Sequence, residues 1–279
     1  MEVSRSNYCF AAQLEKSKLS SNKSRRPRNP FTYIDIKPHE FFFVVSDLSK
    51  KIMGFSFEKQ DLDLVLVPTG LLIMFVYHLD LLYRYIYRPH TTFMGSENNE
   101  KRAWVENIMK DEKKNVSVAL TVTSSNITAA IYLATISLTL CSLIGAWITN
   151  STFTLLDNTI IYGDTSESTM AIKYISLLTC FLLAFSCFVQ SARHLVNASY
   201  LISNPSNDVC ASSVVLPVIR GGEFWSLGLR ALYFALNLLL WFFGPIPMFV
   251  CSISIVIILH CLDTNSHLLL KQLDSLTRG

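Results

Sequence analysis

Charged side chains are scarce in this sequence, at 16% of 279 residues, where a soluble domain carries about a quarter. The scarcity is uneven. From Val118 to Ile148 there is no Asp, Glu, Lys, Arg or His, a run that a soluble helix would break with polar residues every turn or so. Cysteine spacing is equally uninformative for metal or redox chemistry. Cys141, Cys180, Cys187, Cys251 and Cys261 lie inside apolar stretches, where Cys behaves as a small hydrophobe, and no close pair has the spacing of a zinc site. There is no Gly-rich phosphate loop, nucleophile elbow, zinc-protease helix or convergent Ser/His/Asp set. The chain is therefore expected not to be an enzyme, with no catalytic, cofactor-binding or metal-binding residue and no nucleic-acid partner.

Apolar length is what the sequence has in abundance. Blocks run at roughly Leu62–Tyr83, Val118–Ile148, Met170–Val189 and Leu227–Leu262, each long enough to match the ~20 helical residues that cross a hydrocarbon core. They predict an all-α fold: a polytopic transmembrane helical bundle whose four blocks give four or five spans. The helical domain is read as 53–267, followed by a short polar tail at 268–279. Residues 1–52 differ in kind, with ten Lys/Arg against five acidic residues and no helical period, as expected of a disordered basic tail.

Loop charge sets the expected orientation. Arg84 to Lys114 holds seven Lys/Arg, while Asn150 to Ala171 holds none but contains Asp157, Asp164 and Glu167. The positive-inside rule makes loop 85–117 cytoplasmic and the second loop lumenal or extracellular, so the amino terminus lies outside. The expected location is an integral membrane position in the secretory pathway or plasma membrane. Lys50 and Lys51 beside the first span oppose this orientation, and a chain beginning at Met53 would lack them. The native chain is accordingly expected to begin largely at Met53.

Ionisable residues within spans are the default functional suspects in a membrane. In "YHLDLLYRYIYRPH", Asp80 and Arg84 share a helix face at i and i+4, an anchoring ion pair near headgroup depth. His78 points about 160° away from Asp80 at 3.6 residues per turn. Arg230 is read as opening the fourth block and Lys173 the third, with His260 and Asp263 at a block's end. Pro68-Thr69-Gly70 is a candidate break in the first span, and Asn126 a candidate polar position in the second. The second block, "TVTSSNITAAIYLATISLTLCSLIGAW", places Ala130 with Ala134, and Thr135 with Thr139, at four-residue spacing. That pattern lets helices approach closely in lipid; a polar pore lining is the alternative. In the basic loop, Trp104, Val105, Ile108 and Met109 recur at helical spacing. They suit a helix lying in the lipid interface, or one presenting the same face to a protein partner.

The fourth block is 36 residues long, about 54 Å as one helix against a hydrocarbon core of about 30 Å. "FFGPIPMF" interrupts it. Proline disfavours helical geometry in the residue before it. Gly244, Pro245 and Pro247 are therefore expected to join two helices, Glu223–Phe243 and Pro247–His267, as a tight hairpin.

Together, "DLVLVPTGLLIMFVYHLDLLYR", "RAWVENIMKDEKKN" and "FWSLGLRALYFALNLLLWFFGPIPMFV" resemble a plant family of multi-pass membrane proteins known as domain of unknown function five-nine-nine. The resemblance runs from about Met53 to Asp263. It implies a multi-span helical membrane protein and brings no activity or catalytic residue with it. Asp80 stands where the resemblance leads one to expect an apolar or aromatic residue. The leading expectation is a non-enzymatic membrane protein acting through lipid or protein partners, the latter through the loop around Trp104. A channel or uncoupled small-solute transporter using the polar face of the second span is the alternative.

Overall fold

The computed structural model describes residues 59–110, 116–149, 166–204 and 211–263. Within them the chain forms six α-helices: α1 (Lys59–Tyr87), α2 (Phe93–Lys110), α3 (Val116–Thr149), α4 (Glu167–Ser203), α5 (Ala211–Leu240) and α6 (Pro245–Asp263), with a 3₁₀ turn at Pro89–Thr91 between the first two. The basic tail, the Met53 region, loop 150–165 and the carboxyl-terminal tail lie outside the described residues.

Four helices are long and apolar enough to cross a membrane: Asp63–Tyr87, Val116–Ala146, Glu167–Ser203 and Pro245–Asp263. Their outward faces carry large apolar side chains such as Leu72, Phe75, Ile131, Leu143, Ile175 and Ile258, as lipid contact requires. Neighbours in space follow the order α3–α4–α5–α6–α1, and α2 lies on α5. α4 starts cleanly because Ser166 caps it, its hydroxyl accepting from the Thr169 amide at 3.4 Å, an N-cap arrangement that satisfies one orphan donor.

The hairpin at "FFGPIPMF" is present, with shifted limits. α5 begins at Ala211 rather than Glu223, and α6 begins at Pro245 rather than Pro247. The last turn of α5 tightens through amide-to-carbonyl bonds from Trp241 to Leu238, Phe242 to Leu239 and Phe243 to Leu240. Gly244 then takes a φ of 139°, a backbone angle that L side chains rarely adopt. Both prolines sit in the first turn of α6, where the amides they lack have no intrahelical carbonyl to bond. Ile246 is consequently helical, not extended. α5 and α6 are antiparallel, as the Asn237–Ser252 and Arg230–Asp263 contacts require.

Three other expectations are corrected. Pro68-Thr69-Gly70 does not break α1, which is continuous through it; the Thr69 hydroxyl donates to the Val65 carbonyl at 2.6 Å. In α3, Ala130 and Ala134 are buried, but Thr135 and Thr139 are exposed and their hydroxyls donate to carbonyls of their own helix. Ala134 packs against Ala184, whereas Thr135 and Thr139 turn outward. α2 does not leave its apolar face for headgroups. Val105 and Ile108 are buried against Ala119, Ala198, Ile202, Val214 and Val218, because the ends of α3, α4 and α5 supply a drier surface than the lipid interface.

Candidate functional site

Polar side chains inside the bundle gather at three levels. At the end holding the α5–α6 turn, the Trp241 indole donates to Asp63 at 3.2 Å. Lys173 is 1% exposed, with its ammonium 5.2 Å from the Trp241 ring centre, within cation–π range. Half-way along, Asn237 and Ser252 are both fully buried and hydrogen-bonded to each other at 2.8 Å. Gly70 of α1 lies against this pair: a Cβ there would fall 2.9 Å from the Ser252 hydroxyl.

The third level lies toward α2 and carries the most charge. Arg230 of α5 donates to Asp263 of α6 at 2.9 Å, and the Tyr77 hydroxyl of α1 donates to the other Asp263 oxygen at 2.8 Å. Three helices are thus tied at one carboxylate. Arg230 sits inside α5 rather than at its start because that helix begins at Ala211. Asp80 and Arg84 form the expected i,i+4 ion pair, at 2.7 Å and partly exposed. With Tyr77, His260 and Asp263 they line a small gap. His78 faces away from Asp80, as its spacing predicts. Its Nδ1 donates to the Met74 carbonyl at 2.7 Å and its ring lies 5.0 Å from that of Phe234. His78 Nε2 and Arg230 Nη1 are buried without a hydrogen-bond partner.

A separate cavity of about 450 Å³ opens where α2 crosses α3, α4 and α5. Glu97, Glu100, Lys101 and Trp104 of α2 stand on one side of it and Asn126 of α3 on another. Of the residues singled out in the sequence, the structure therefore puts Asp80 and Arg84 beside the triple contact, His78 behind it and Asn126 in the cavity. Gly244, Pro245 and Pro247 form the turn at the opposite end. Sequence reasoning missed Tyr77 and Asp63, the burial of Lys173 over Trp241 and the pairing of Arg230 with Asp263. Charge at the edges of or within otherwise apolar blocks was the signal for Asp63, Lys173, Arg230 and Asp263, and it named no partners; Tyr77 had no such signal.

These features define the class: an all-α polytopic bundle with four helices of membrane-spanning length. Within that class, residues 65–268 match the family described as "protein of unknown function, DUF599", and the chain belongs to it. No curated protein and no solved structure matches the chain.

Proposed function

We propose that the protein is a non-enzymatic integral membrane protein that works through lipid or protein partners and not by conducting solutes. Its chain crosses the membrane five times, with α5 as the fifth crossing, the amino terminus outside and the α2 end in the cytoplasm. The seven Lys/Arg from Arg84 to Lys114 support that orientation.

The observation that carries the reading is the pairing of the internal polar groups. Asp63 with Trp241, Asn237 with Ser252, and Tyr77 and Arg230 with Asp263 each link helices. Groups so occupied hold a bundle together instead of hydrating a path. The hydroxyls that a pore would need, on Thr121, Thr128 and Thr135, point outward and are occupied by backbone carbonyls of their own turn, which lets such residues face lipid. The outward face of α2, with Arg102 and Asn107 exposed, is the surface offered to a cytoplasmic partner.

Cysteines placed at Thr128 and Thr135 test the distinction. They are expected to resist charged, membrane-impermeant thiol reagents in intact vesicles, with no solute flux above background. Rapid labelling of both, accompanied by a flux that the label blocks, would replace this reading with the channel.

A further inference from the structure

We propose that the cavity beneath α2 is a binding site for an amphiphile carrying a single organic cation, an amine or quaternary ammonium on an apolar body. The cavity, at about 450 Å³, has the size of small-molecule sites, which run from about 300 to 1,000 Å³. It is also built from two chemically different walls. Leu195 of α4 and Val218 of α5 line the apolar side, along with Trp225, whose ring is fixed edge-on to Phe188 at 5.7 Å. The α2 wall supplies charge.

The sign of that charge follows from how Lys101 is held. Its ammonium lies 3.0 Å from Glu97 and against the backbone of Gly222, where an added Cβ would fall 2.1 Å from Nζ. Glycine at 222 is thus what lets the ammonium tuck in beside α5. Lys101 and Glu97 neutralise one another, so Glu100 leaves the lining with a net negative charge. The same lining includes two half-buried indoles, Trp104 and Trp225. A carboxylate and two indoles lining one cavity suit an organic cation: a carboxylate attracts it at long range and an aromatic ring can hold it at contact. An anion meets repulsion from Glu100, and a neutral amphiphile gains neither contact. Asn126, on the α3 side, adds an amide able to donate to or accept from a polar group next to the cation. Ser191 contributes no such group, since its hydroxyl is already given to the Gly221 carbonyl at 2.7 Å.

The test uses the purified full chain in an uncharged maltoside detergent, with indole fluorescence as the readout. Dodecyltrimethylammonium should bind saturably at one per chain. Dodecanol and decanesulfonate should bind at least about tenfold more weakly. Glu100→Gln, on an exposed side chain, removes the carboxylate that attracts the cation and should weaken its binding by about tenfold. Trp225→Phe should reduce the spectral response, leaving the part that comes from Trp104. Gly222→Ala should weaken binding as well by displacing Lys101 towards the cavity. Equal binding of all three probes, or affinity unmoved by both Glu100→Gln and Trp225→Phe, would overturn the proposal. Tetrabutylammonium separates the sources: binding as tight as that of the chained cation identifies a soluble ligand, and much weaker binding a membrane amphiphile. The measurement involves no transport, so a conducting protein that still binds the cation would end only the non-conducting reading.

Discussion

Single side chains at helix contacts have large consequences here because lipid offers buried polar groups no alternative partners. Gly70 is the sharpest case. The Gly70→Ala methyl would sit 2.9 Å from the Ser252 hydroxyl, so α1 and α6 must part or the Asn237–Ser252 bond must yield. Overpacking of this kind costs about 1–3 kcal/mol. Unfolding in a detergent titration should show that loss, and adding Ser252→Ala should cost less than the two single changes summed. Gly145→Ala is the matched control, since nothing lies within 4 Å of an added Cβ; it should be near neutral. Of the ion pairs, Arg230–Asp263 and Arg84–Asp80 divide in the same way. Asp263→Asn removes the negative charge and one of the two oxygens that accept from Arg230 and Tyr77, and should cost about 2 kcal/mol, typical of hydrogen bonds to charged groups. Replacing Asp80 and Arg84 together with Gln should cost only a few tenths of a kcal/mol, with membrane insertion intact. Equal losses from the two replacements would contradict the assignment of Asp263 as the tie between helices.

Whole elements owe their limits to a few positions whose chemistry is local. The α5–α6 turn depends on glycine at one place and tolerates change at another. Gly244→Ala forces an L side chain into a φ of 139° and should destabilise the bundle by about 1–3 kcal/mol. Pro247→Ala lies in the first turn of α6, where the missing amide is no loss, and should change stability by less than about 0.5 kcal/mol. Reversal of that order in the same unfolding assay would mean that Pro247, not Gly244, makes the turn. α2 illustrates the limit of periodicity as a guide. Its apolar stripe, Val105 and Ile108 with Trp104 and Met109 beside them, reads identically for a lipid interface, a partner and an intramolecular surface. The intramolecular surface wins because the projecting ends of α3, α4 and α5 would otherwise leave Ala119, Ala198 and Val214 in water.

At the scale of the molecule, the order of helices decides which ends meet. α1 and α6 run in the same direction, since Asp63 lies by Trp241 and Tyr77 by Asp263; α4 and α5 run in opposite directions, since Lys173 lies by Trp241 and Ser191 by Gly221. With five crossings, the α4–α5 connection and the carboxyl terminus share a side. A compartment-specific reporter inserted between Ser203 and Ala211 and another fused after Gly279 should both report the cytoplasm. Reporters on opposite sides would remove α5 as a crossing and leave four.

Composition and apolar run length determined that the fold is helical and about where α1, α3, α4 and α6 run, though not that α5 starts as early as Ala211, and the two prolines marked the turn at Gly244. Those properties are local: run length, helical period and backbone restriction act over a few residues. The Asp80–Arg84 pair was legible for the same reason, being one turn apart on one helix. Tertiary structure alone decided that Arg230 and Tyr77 share Asp263, that Lys173 is buried over Trp241, and that α2 roofs a cavity containing Asn126. Each of these joins residues on different helices, Tyr77 and Asp263 being 186 positions apart. A helix offers several faces to a neighbour, and which one is buried follows from fitting all six together, a condition that no single stretch of sequence contains.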